Sequence, residues 1–198
     1  MSAFYSWLLG LLKPVVIWWG KLHLPFTHKR VTGKHYYMLR DKITLGTVLL
    51  TTTRGEFSNL INPEKIKHAG IYVGELDRDG IKYVLEAVGR GVVKTDLVTF
   101  LTTKDLVVGI EPKFLNYDDV ARVGDEAKRI IGIPYDYLFE KGSKAMYCFE
   151  AVAHIFKLLR PEIQLQCKEV VKGKQIFSYE TYLNDKEKFS VVFNSNKV

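Results

Sequence analysis

What most limits the fold of this chain is the order in which its hydrophobic patterns change. Between Gly46 and Glu111 the apolar residues come in short, β-branched runs: Gly46 to Thr53 (GTVLLTTT), His68 to Gly74 (HAGIYVG), Lys82 to Val88 (KYVLEAV), Val92-Val93 and Leu106 to Glu111. Runs of this length bounded by turn residues read as strands. The second and third are joined by a stretch ending in Asp79-Gly80, a hairpin signal. A short helix is expected near Leu97 to Leu101. The longer helical repeats come later. One spans Asp118 to Ile131, with Val120, Val123, Ala127, Ile130 and Ile131 at helical spacing, and is stopped by Gly132 and Pro134. The other spans Tyr147 to Leu159, with Ala151, Val152, Ile155, Phe156 and Leu159 on one side, and is closed by Pro161. The tail offers a last turn at Phe177 to Tyr182 and an edge strand at Phe189 to Phe193. The pattern is a sheet followed by two helices that cover it.

The chain has 198 residues, of which 47% are hydrophobic and 13% aromatic, so it buries a core and is not a disordered, collagen-like or coiled-coil sequence. Two cysteines, Cys148 and Cys167, cannot build a disulfide framework, and no Cys-x-x-Cys or His-x-x-His spacing points to a metal. The net charge of +7 is unevenly placed. Residues 1–42 hold seven basic residues and one acidic residue, whereas the remainder holds 22 basic and 21 acidic residues. A nearly neutral folded part without a basic stripe argues against nucleic acid as a partner.

Residues 1–20 contain all three Trp and one charge, Lys13. They lack the basic start and small-x-small end of a cleavable signal peptide. Lys13-Pro14 at the centre opposes a membrane span, since an interior Pro costs about 3 kcal/mol and a central Lys about 2.5 to 3.5 kcal/mol. Two readings remain: a bent helix or helical hairpin lying at an anionic membrane surface, or a segment packed on protein. On this basis residues 1–42 are expected to be an appendage and residues 43–198 the folded domain.

Cys148 stands in the first turn of the last long helix, where backbone N–H groups and the helix dipole favour a thiolate and can stabilise an oxyanion. Taken alone, a cysteine on an apolar helix face is equally a small core residue. His68 opens a strand and leaves its imidazole at the sheet end, and Glu86, among apolar neighbours on the next strand, needs a charged or hydrogen-bonded partner. Adjacent strands bring the two together, with Cys148 facing the other ring nitrogen, an arrangement of nucleophile, base and orienting group. The alternative is a surface histidine and a strand-edge glutamate. His23, His28 and His35 read as solvated, and His154 as a partly buried helix residue.

Gly46-Thr47-Val48-Leu49-Leu50, His68-Ala69-Gly70-Ile71-Tyr72-Val73-Gly74, Glu86-Ala87, Gly132-Ile133-Pro134-Tyr135-Asp136-Tyr137 and Tyr147-Cys148-Phe149-Glu150, in this order, resemble the circularly permuted, YiiX-like branch of the NlpC-type papain-like superfamily. The resemblance spans roughly residues 43 to 185 and implies an α+β fold in which the cysteine helix packs against an antiparallel sheet. It implies Cys148 as nucleophile, His68 as base and Glu86 as orienting group; from the spacing of ligand residues no metal or cofactor is expected. Tyr135, Tyr137 and Tyr147 would border the substrate and oxyanion site, with the Cys148 N–H part of the oxyanion hole. Two positions depart from the family pattern: Thr47 replaces a frequent Asp, and Phe149 replaces a small residue, so Phe149 is expected to crowd the acyl pocket. The implied activity is a thiol hydrolase or acyltransferase acting through a thioester. Related families suggest a lipid or acylated substrate or a cell-wall peptide, and a binding module with an idle thiol is the non-enzymatic alternative.

Overall fold

The computed structural model describes residues 30–53, 66–137, 139, 144–171 and 174–197. The elements in chain order are α1 (Gly33–Arg40), β1 (Val48–Thr52), β2 (His68–Gly74), β3 (Tyr83–Val88), β4 (Gly91–Asp96), α2 (Leu97–Thr102), β5 (Leu106–Pro112) and α3 (Tyr117–Ile130). They continue with α4 (Cys148–Leu159), β6 (Lys168–Val171), β7 (Lys174–Ile176), α5 (Tyr179–Leu183), β8 (Phe189–Asn194) and a closing 3-10 turn at Ser195–Lys197. Six strands form one sheet in the order β4-β3-β2-β1-β5-β8, antiparallel throughout, and β6 pairs with β7 in a separate hairpin. This is the α+β arrangement. The β6–β7 hairpin is an addition that the sequence reading does not contain, because its few residues show no alternating apolar pattern.

Alternation along each strand gives the sheet two apolar faces. Val48, Leu50, Ala69, Ile71, Leu85 and Ala87 join Val123, Ala127, Val152, Ile155 and Phe156 in the larger core, beneath α3 and α4. Leu49, Val84, Val107 and Phe193 join Leu97, Phe100 and Leu101 in a smaller core on the opposite face. The helices that cover the sheet carry clear local signals. Asn116 caps α3 by accepting from the Asp119 N–H at 2.9 Å, and acidic residues in the first turn with basic ones in the last complement its dipole. Arg160, just past α4, reaches back to Asp119 at 2.6 Å and ties the two helices together.

The fold begins earlier than residue 43. Leu39 is fully buried and Val31 nearly so in the smaller core, and the Val31 N–H donates to the Lys104 carbonyl at 3.3 Å. Charge and composition mark residues 30–42 as part of a basic appendage, yet the apolar side of α1 is what the exposed face of the sheet needs to cover it. His35 is likewise engaged in the fold: its Nδ1 accepts from the Thr32 N–H at 3.1 Å and closes the capping box of α1. The expectations for residues 1–20 and for His23 and His28 lie outside the described residues. No helix among the described residues is long and apolar enough to cross a membrane.

Candidate active site

His68 is the first residue of β2, held at the end of the sheet by the Lys67 N–H, which donates to the Thr51 carbonyl at 3.1 Å. Strand alternation sends Ala69 and Ile71 into the larger core and leaves His68 and Gly70 on the opposite face, beside Phe100 of α2. On β3, Glu86 stands in register with Gly70. A side chain at Gly70 would meet Val84 at 2.5 Å and Phe100 at 3.2 Å, so the bare glycine is what lets those groups close over the strand. His68 Nε2 donates to Glu86 Oε2 at 2.6 Å, and Glu86 Oε1 accepts from the Thr95 hydroxyl of β4, also at 2.6 Å.

The thiol arrives from the other side of the sheet. Cys148 is the first residue of α4, which packs on the larger core, and its sulfur lies 4.0 Å from the Lys67 carbonyl at the start of β2. The His68 ring, whose Nε2 is occupied by Glu86, lies close enough for Cys148 to influence its charge. Cys148 and the His68–Glu86 pair therefore lie at the same end of the sheet.

Electrostatics define the protonation state. Burial opposes a charged ring, but the proximity of Cys148 and the hydrogen bond to Glu86 outweigh it and raise His68 to about 9. Burial likewise opposes a charged Glu86, yet the His68 hydrogen bond and charge, with Lys104 and Thr95, bring it down to about 2. The pair is an imidazolium and a carboxylate at neutral pH. Neither cysteine forms a disulfide; Cys148 is buried and Cys167 exposed.

The three tyrosines differ. Tyr147 is the N-cap residue of α4, and its hydroxyl is used as an acceptor by the Phe177 N–H at 2.6 Å. The Tyr137 hydroxyl donates to the Gly89 carbonyl at 2.7 Å and pins its loop to the β3–β4 turn. Tyr135 pairs with Met146 in a parallel bridge just before α4, and its hydroxyl makes no hydrogen bond among the described residues. Burial and the proximity of Cys148 push it well above the usual phenol range, so it stays a donor. Phe149 points away from the thiol: it stacks on Tyr182 in the core at 6.4 Å, and its carbonyl accepts from the Tyr182 hydroxyl at 2.6 Å. The expected crowding of an acyl pocket is thus corrected, because the second residue of a helix is turned about 100° from the first. Thr47 stays within a local turn, its hydroxyl accepting from the Thr44 N–H at 3.0 Å.

Sequence reasoning passes over one contributor, Thr95, and over the half-buried Glu150, close to Cys148 in the chain. Thr95 shares a face of β4 with Val93, which stands opposite Glu86, and strand alternation would have found it. Glu150, in the first turn of α4, is raised to about 7 by burial and by Asp136. Neither His154, which burial and Lys157 hold below the usual range, nor His35 approaches the cluster. Among the described residues no three His, Cys, Asp or Glu side chains gather in a way that would hold a metal ion.

The fold is similar to the crystal structure of the metalloprotein YiiX from Escherichia coli O157:H7, with a TM-score of 0.63 and 19% identity over 77% of this chain and 97% of that one. Protein OPG091 of variola virus (isolate Human/India/Ind3/1967) and of vaccinia virus (strain Copenhagen) is 26% identical over 155 residues, covering 77% of this chain and 86% of each relative. The family model of permuted papain-like amidases, YaeF/YiiX (C92 family), matches residues 42–193, and the chain belongs to that family.

Proposed function

We propose that the protein is a cysteine hydrolase or acyltransferase that cleaves an amide or ester of a lipid or acylated substrate through a thioester on Cys148. The observation that carries the reading is the His68–Glu86 hydrogen bond at the end of the sheet, with the Cys148 thiol beside it on the first residue of a helix. With the proton of its thiol held on the His68 ring, the Cys148 sulfur attacks the substrate carbonyl carbon, and the C=O electron pair moves onto oxygen. The Cys148 N–H, which has no acceptor within the helix, and the Tyr135 hydroxyl are the donors for that oxyanion. As the intermediate collapses, His68 gives its proton to the departing amine or alkoxide and leaves the thioester. His68 then takes a proton from water or an acceptor alcohol or amine, which attacks the thioester and releases Cys148. Glu86 holds the ring and stabilises its cationic form.

The lipid or acylated class is favoured by the apolar surface beside the thiol. Phe139 is 42% exposed and packs edge-on against Tyr147 at 4.9 Å, next to Cys148. The apolar, basic N-terminal residues fit a substrate presented at an anionic surface. YiiX is a metalloprotein, but in this chain His68 Nε2 and both Glu86 oxygens are already committed to protein partners, so the described residues do not fit a metal and no step runs through one.

Alkylation by iodoacetamide separates this reading from a binding module with an idle thiol. Exposure alone favours Cys167, so Cys148 reacting at least about tenfold faster would mark an activated nucleophile. With an acyl-bearing probe, mass spectrometry should find the adduct on Cys148. Cys148→Ala and His68→Ala should each abolish turnover, with the double variant no worse, because residues acting as a unit are not additive. Equal alkylation of the two cysteines, or turnover by Cys148→Ala, would refute the proposal.

A further inference from the structure

One contiguous stretch, residues 95–104, surrounds the side of the His68–Glu86 pair that faces away from Cys148. Its first residue, Thr95, donates to Glu86 Oε1 at 2.6 Å while Oε2 accepts from His68 at the same distance. With both oxygens held, the carboxylate cannot rotate out of the ring plane without breaking a short bond. The next residue, Asp96, caps α2 by accepting from the Thr99 N–H at 2.8 Å. That fixes where the helix starts, and so where Phe100 falls: its ring lies 6.2 Å from the His68 ring, tilted by 38°. Lys104 then places its ammonium over the Phe100 ring at 4.9 Å, within electrostatic reach of Glu86.

We propose that this strand-to-helix segment is the aligning device of the site, with Thr95 as its principal positioning residue and Lys104 as its electrostatic support. The proposal rests on the catalytic reading of Cys148 and His68 given above. The groups that face Glu86 are His68 from β2, Thr95 from β4 and Lys104 from the turn after α2; those that face His68 are Glu86 and Cys148. Thr95 touches no reacting atom and acts only through Glu86. Removing its hydroxyl leaves one carboxylate oxygen buried without a partner, which weakens the hold of Glu86 on the imidazolium.

Titration of His68 in the full-length protein, followed by NMR of 15N-labelled histidine and assigned with His68→Gln, tests this. Thr95→Val keeps the side-chain shape and should lower the His68 midpoint by about one pH unit, a tenfold loss of proton affinity. Thr95→Ser should restore it. An unshifted midpoint in Thr95→Val, or failure of Thr95→Ser to restore it, overturns the proposal. Iodoacetamide labelling of the same samples keeps the two readings apart. A shifted His68 with Cys148 no more reactive than Cys167 supports the aligning role and removes the hydrolase. A reactive Cys148 with an unshifted His68 does the reverse.

Discussion

His68 and Glu86 are 18 residues apart in the chain yet share one proton, and the sign of each shift sets where that contact stabilises the fold. His68 rises from 6.5 to about 9, so its contribution is complete below pH 6.5 and is lost as pH climbs through 9. Glu86 falls from 4.5 to about 2, so its contribution is complete above pH 4.5 and is lost as pH drops toward 2. Both contributions are therefore complete between pH 4.5 and 6.5, and the rise at His68 is owed to Cys148 as well as to Glu86. Urea midpoints at pH 6 and pH 9 check this: the wild-type protein should lose clearly more stability over that interval than Glu86→Gln, whose His68 no longer has a carboxylate to hold its proton. Equal losses in the two proteins would mean that the contact does not govern the titration.

At the level of elements, the decisive contact is between the β3–β4 turn and the segment that leads into α4. Gly91 opens β4 with φ +112°, and a Cβ there would lie 2.5 Å from the Ile133 carbonyl oxygen. The same carbonyl accepts from the Val92 N–H at 2.8 Å, and the Gly132 N–H donates to the Val92 carbonyl at 2.9 Å. These bonds seat residues 132–137 against the sheet edge and so deliver Tyr135 to the start of α4. Gly80 makes a clean comparison, with φ +75° and nothing within 4 Å of its Cβ position. Gly80→Ala should lose about 1 kcal/mol through backbone strain alone, and Gly91→Ala at least about 2 kcal/mol because a carbonyl must also move. Urea unfolding measures both. Gly91→Ala should also slow alkylation of Cys148, whereas Gly80→Ala should not; similar effects of the two substitutions would show that the approach to Ile133 is unimportant.

For the whole molecule, the question is where the folded unit begins. Val31 and Leu39 belong to the smaller core, so cutting after residue 42 removes one wall of the face that carries His68 and Glu86. A chain lacking residues 1–29 keeps that wall. It should unfold at nearly the wild-type urea concentration, while a chain lacking residues 1–42 should be less stable by at least about 2 to 5 kcal/mol, the range for emptying one buried leucine site. If residues 1–29 dock on an anionic surface, co-sedimentation with phosphatidylserine vesicles should drop on their removal, and binding of the intact chain should weaken at high salt. Unchanged, salt-independent partitioning would contradict membrane docking.

Much of this was legible in the residues themselves. Short β-branched runs bounded by turn residues located the main strands, helical spacing with Gly132 and Pro161 as stops located α3 and α4, and both depend on local interactions that the sequence encodes directly. The sequence also singled out His68, Glu86 and Cys148, because a carboxylate among apolar strand neighbours and a thiol on the first turn of a helix are locally conspicuous. Beyond local pattern, distance along the chain hides what is close in space. That His68 and Glu86 lie on one face of the sheet while Cys148 comes from the other follows from the packing of α4 on the larger core. Thr95 became a neighbour of Glu86 through the register of β4, and Leu39 became core through the uncovered face of the sheet. Phe149 was drawn away from the site by Tyr182, a residue 33 positions further on. Those outcomes required the assembled sheet, since only non-local burial could choose which polar groups would be enclosed and with whom.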